Sequence, residues 1–117
     1  RAAKPFRVLR AGFTQAKINT GERSMVVGVL TLELLLPEAN SLKEKRRVLK
    51  SLLDKLRARF NVAAAEVDRQ DVWRRATVGL ALVSNSRSHA QDTLAALVKF
   101  VEQADRVEIL SYTTEFF

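Results

Sequence analysis

Cysteine is missing altogether from this 117-residue sequence, which removes disulfide frameworks, thiolate metal sites and cysteine nucleophiles at once. Histidine occurs once, as His89. It has no second histidine and no Ser–Asp elbow with which to build a zinc or catalytic constellation. Glycine is scarce. Only Gly28 and Gly79 fall in the regularly patterned part of the chain, each inside a strand-like stretch, so no glycine-rich phosphate loop is present. No apolar run approaches the ~20 residues of a membrane-spanning helix. The longest, Met25 to Leu36, is broken by Thr31 and Glu33 and lacks the small-residue cleavage pattern of a signal peptide. These absences lead us to expect a cytoplasmic protein that is not an enzyme, with no metal, cofactor, small-molecule substrate or membrane association.

What the sequence does carry is positive charge, unevenly spread. The net charge is +7, and it is concentrated in two places. Arg1–Ser24 has six basic residues and one acidic, and Ser41–Phe60 has eight basic and two acidic. The remaining stretches are each slightly acidic. Residues 1–24 hold Pro5, two of the four glycines and no sustained period of two or 3.6. They are expected to be a disordered or non-native extension. Gly21-Glu22-Arg23-Ser24 back-translates to a purine-rich stretch before Met25, which makes Met25 the expected natural start. A hydrophobic fraction of 47% with 28% charged residues suits one globular domain over 25–117.

From Met25 the pattern is regular. Met25–Leu36 alternates as a strand and stops at Pro37, which cannot donate to a ladder. Ser41-Leu42-Lys43-Glu44 reads as a capping box opening a helix that runs to about Phe60. Leu42, Leu49, Leu52, Leu53, Leu56 and Phe60 form its apolar stripe, and Asn61 can close it. Val62–Asp68 and Ala76–Ser84 read as strands, Arg87–Gln103 as a second helix after an Asn85-Ser86 turn, and Arg106–Phe116 as a last strand. The order β-α-β-β-α-β predicts an α+β, ferredoxin-like fold: a four-stranded antiparallel sheet with two helices on one face.

Such a sheet leaves one face uncovered. With Val26, Gly28, Leu30, Leu32 and Leu34 pointing inward, the outward side of the first strand is Val27, Val29, Thr31, Glu33 and Leu35. That is too apolar for plain solvated surface. Ala81 and Val83, or Leu110 and Tyr112, would extend it. A homodimer through Val27, Val29 and Thr31 on the open face, or through an edge strand, is expected.

At about 100° per residue, Lys43, Arg46, Arg47, Lys50 and Arg57 share one sector of the first helix, interrupted only by Asp54. A one-sided cationic ridge contacts phosphates without reading bases, and its binding falls with salt. A solvated helix face would look similar. Cations in the first helical turns oppose the helix dipole, so their presence asks for a compensating role. The first and third strands contain no aromatic residue, which argues against base stacking on the sheet. Trp73 reads as a packing anchor. Glu66, Asp68 and Asp71 read as ion-pair partners of Arg69, Arg74 and Arg75 rather than as metal ligands.

Three stretches resemble the YlxP-like family of small bacterial proteins. They are Val27–Leu30 with Leu34–Pro37; Asn40–Arg47 with Leu49-Lys50; and Phe60–Val62 through Ala65–Asp68, Gln70-Asp71, Trp73 and Ala76. The Ser41-Leu42-Lys43-Glu44-Lys45-Arg46 string is the most specific, and the similarity spans essentially Met25–Phe117. The resemblance implies a ferredoxin-like fold and no assigned reaction. It also implies a gene neighbourhood beside translation initiation factor two and a ribosome-binding factor, hence ribosomal RNA or a ribosomal protein as expected partner. Two departures stand out. The segment before Met25 has no counterpart, and Arg69 stands where many relatives are expected to have histidine.

Overall fold

The strand β1, Val26–Leu35, alternates buried and half-buried residues along its whole length, as a β-branched and leucine-rich segment does when one face meets a core. This comes from a computed structural model that describes residues 25–117; the expectations for residues 1–24 lie outside the described residues. Helix α1 follows at Leu42–Arg59, then β2 at Ala63–Asp68, β3 at Arg75–Ser84, helix α2 at Arg87–Glu102 and β4 at Glu108–Phe116. The sheet order is β2-β3-β1-β4, with every neighbouring pair antiparallel. This is the predicted α+β, ferredoxin-like arrangement.

The inward set on β1 is the predicted one. Leu30, Leu32 and Leu34 have no exposed surface and meet Val78 and Leu80 of β3, Leu49, Leu52 and Leu56 of α1, and Leu94, Leu97 and Val101 of α2 in a single core. Each such leucine removed from water contributes roughly 1.5–3 kcal/mol before chain entropy is set against it. Both helices therefore cover the same face of the sheet.

The helix starts are built locally. The Ser41 hydroxyl accepts from the Glu44 amide at 3.1 Å, and the Ser86 hydroxyl accepts from the His89 amide at 3.2 Å. The box at Ser41 departs from expectation by one residue: Glu44 Oε1 accepts from the Asn40 amide at 2.6 Å, drawing in the residue before the cap. Phe60, whose amide donates to the Leu56 carbonyl, ends α1 in place of Asn61.

On the open face, Val27, Val29 and Thr31 lie opposite Val83, Ala81 and Gly79. Val67 covers Gly79 so closely that an added Cβ would come within 3.2 Å of its Cγ1. Ala81 and Val83 therefore extend the open-face patch. Tyr112 does not, because it lies opposite the inward Leu32, and Leu110 falls at the bulge in the β1–β4 ladder.

Candidate nucleic-acid interface

The five ridge residues predicted on the first helix lie on α1, and none of them is buried. Their electrostatic surroundings divide them. Lys50 Nζ is 2.8 Å from Asp54 Oδ2, and Arg57 Nη1 is 3.2 Å from Asp54 Oδ1. One carboxylate thus serves two cations, and the Lys50 hydrogen bond, helped by the charges of Lys50 and Arg57, holds the Asp54 carboxyl below its ordinary value of 3.8. Arg57 also donates through Nη2 to the Ala64 carbonyl at 2.6 Å, which pins it to β2.

Lys43, Arg46 and Arg47 differ. They are exposed and have no hydrogen-bond or ion-pair partner among the described residues. Glu44, the acidic residue between them, is committed to the Asn40 amide. Among the five ridge residues, the free positive charge therefore sits in the first two turns of α1. Two further cations, overlooked in the sequence, extend it along one flank. Arg47, Ser51 and Lys55 form an i, i+4, i+8 row that lines a cleft of about 350 Å³ facing Ala104, Asp105 and Arg106. Arg106 has a left-handed backbone, φ 69°, in the α2–β4 turn. No local sequence pattern reports that a residue this far along the chain folds back beside α1.

Lys45 is also missed by sequence reasoning. Its side chain has no exposed surface although it stands between exposed neighbours in a basic run. Nζ donates to the Arg69 carbonyl at 2.6 Å and lies 2.8 Å from Glu66 Oε2. That carboxylate oxygen is met at angles unsuited to a hydrogen bond and has no other partner among the described residues, so the interaction is chiefly a charge pairing. A buried ammonium without such partners would cost several kcal/mol. A signal does exist: Lys45 falls three residues after Leu42 and four before Leu49, inside the apolar stripe.

The pairing expected among Glu66, Asp68, Asp71 and the nearby arginines is not what forms. Glu66 faces Lys45, and Asp68 Oδ1 accepts from the Arg69 amide at 2.7 Å. Asp71 has no ion pair among the described residues. Arg69 Nε instead reaches Glu33 Oε1 at 3.2 Å, where Thr77 Oγ1 also donates at 2.9 Å. Arg74 donates to the Ala39 carbonyl at 2.9 Å and to Asn40 Oδ1 at 3.0 Å. Trp73 likewise departs from expectation. It is 51% exposed in the β2–β3 loop and anchors nothing in the core.

Residues 27–114 match the family model described as "Protein of unknown function (DUF503)". The chain belongs to this family. A curated relative is the uncharacterized protein YlxP of Bacillus subtilis (strain 168), 36% identical over 92 residues that cover 79% of this chain and 100% of that protein. The resemblance read from the Ser41–Arg46 string is thereby borne out. Among solved structures the chain is similar to the de novo designed protein Foldit4, at 15% identity and a TM-score of 0.47, covering 79% of this chain and 97% of that one. Among the described residues, no helix of the family domain is long and apolar enough to cross a membrane.

Proposed function

We propose that this family member is a non-catalytic binding module whose first helix engages RNA or another polyanion, in a cytoplasmic role connected with translation. The observation that carries the reading is that Lys43, Arg46 and Arg47 point into solvent with no counter-charge among the described residues, while their neighbours Lys45, Lys50 and Arg57 are all committed to carboxylates. Cations without partners are available to displace counterions from phosphates. Lys55 and Arg106 widen the same surface. The test is binding of the full chain to ribosomal subunits and to bare RNA at low and moderate salt, beside a Lys43→Glu/Arg46→Glu/Arg47→Glu variant with unchanged circular dichroism. Salt-sensitive binding by the wild type, abolished in the variant, supports the reading. Equal binding by both proteins, or none by either, removes it.

A second reading, a homodimeric protein-interaction module working through the open sheet face, is favoured by one observation. Val83 is 64% exposed beside Val27, with Val29 and Thr31 next along the strand. That surface predicts salt-resistant association abolished by Val29→Glu, read by sedimentation equilibrium.

A further inference from the structure

The loop between β2 and β3 is held far more firmly than a short surface connection requires. From below, the buried Lys45 ammonium donates to the Arg69 carbonyl, which also accepts from the Val72 amide at 3.1 Å. From the side, the Arg69 guanidinium reaches across to Glu33. At the far end, Arg74 clamps the Ala39 carbonyl and Asn40, and its own carbonyl accepts from the Leu36 amide at 2.8 Å. Arg69 adopts a left-handed backbone, φ 64°, which turns the chain sharply there. Between these ties stand Val72 and Trp73, 42% and 51% exposed. A desolvated lysine and two arginines thus fix the backbone of a loop whose apolar side chains are left in water, an arrangement that core packing does not account for.

The loop's position gives the display a meaning. Asn40, which Arg74 grips, immediately precedes the Ser41 cap of α1. Lys43 and Arg46 follow within about 9 Å of helix rise. The indole is therefore held at the same end of the molecule as the partnerless cations.

We infer that Trp73 is a stacking platform for an unpaired base, and that the polyanion suited to this surface is single-stranded RNA, its phosphates on Lys43 and Arg46 and one base on the indole. An exposed aromatic ring on a fixed backbone, at the same end of the molecule as a basic track, is the combination that single-strand binders use, because every base offers a π-face whatever the sequence. This rests on the polyanion reading of α1 and adds to it a preference for strands with free bases. It also supplies the base contact that the aromatic-free strands β1 and β3 cannot make.

Trp73 is the sole tryptophan of the chain, so its emission reports on the site directly. The full chain would be titrated with an unlabelled oligouridylate, a blunt RNA duplex of equal length and heparin. Affinities for fluorescently labelled versions would be measured in parallel by anisotropy. The expected result is quenching of Trp73 by the single strand alone. Trp73→Ala should then weaken single-strand binding about tenfold, with duplex and heparin affinities unchanged. Trp73→Phe should recover most of that affinity and Trp73→Leu little, which separates stacking from plain apolar contact. Tight single-strand binding without a change in emission, or a Trp73→Leu variant as strong as wild type, would overturn the platform while leaving the basic helix intact. A protein that binds none of the three polyanions would overturn both. An emission shift that depends on protein concentration without RNA would assign the indole to a second copy and also overturn it.

Discussion

The Lys45 ammonium lies 2.8 Å from Glu66 Oε2 and has no exposed surface, so a charge on α1 and a charge on β2 are joined inside the protein. Removing one partner strands the other. Lys45→Ala is expected to cost about 2–4 kcal/mol in urea unfolding, less than a fully dry pair would because Glu66 retains some exposure to water. Lys45→Met combined with Glu66→Gln should restore most of that stability, since neither a buried charge nor an unpaired carboxylate remains. If Lys45→Ala proves neutral, the pairing contributes nothing to stability.

The Asp54 carboxyl is predicted to titrate below 3.8, because the Lys50 hydrogen bond and the nearby Arg57 charge favour its ionised form. A folded value lowered in this way contributes stability that is present above the unfolded value and lost as pH falls through the folded one. Carboxyl carbon NMR of the full chain checks the midpoint. In Lys50→Ala the midpoint should move back toward 3.8.

The same carboxylate masks two cations, Lys50 and Arg57. Asp54→Asn should therefore strengthen binding to heparin or RNA and steepen the dependence of log K on log salt by about one counterion. An unchanged slope would mean that the half of α1 around Lys50 and Arg57 lies away from the bound strand.

At position 69 the backbone, not the side chain, sets the tolerance. With φ at 64°, Arg69→Gly and Arg69→Asn should stay within about 1 kcal/mol of wild type, although neither residue can pair with Glu33 as the guanidinium does. Arg69→Val forces a β-branched residue into the left-handed region and should cost about 1–2 kcal/mol by thermal unfolding. The Lys45 bond is made to a carbonyl, which any residue supplies.

Most of the architecture is legible in the sequence because it is written in local patterns. The alternation from Val26 to Leu35, the Ser41 cap and the leucines of α1 each follow from neighbours a few residues away. The basic ridge is legible as a set of positions but not as a set of available charges, because the geometry at Asp54 decides which cations remain free. Lys45 escapes because a lysine among lysines and arginines reads as solvated, although its phase on the helix is that of the leucines. Trp73 misleads because a tryptophan is usually buried, and only the ties from Lys45, Arg69 and Arg74 reveal a loop that holds it outside. Arg106 reaches α1 through the sheet order, which no short window contains.

The pairing of β1 with β4 brings Gly28 against Phe116, opposite ends of the described chain. On a ribosome β1 emerges well before β4, its second partner. For that interval one edge of the uncharged run Val26–Leu32 is bare, a segment with the composition of an aggregation-prone strand. Pairings so distant in sequence are also slow to close. Synthesis rate and chaperone supply should consequently govern the soluble yield of this protein more than its final stability does, and substitutions that weaken the β4 ladder should appear first as inclusion bodies.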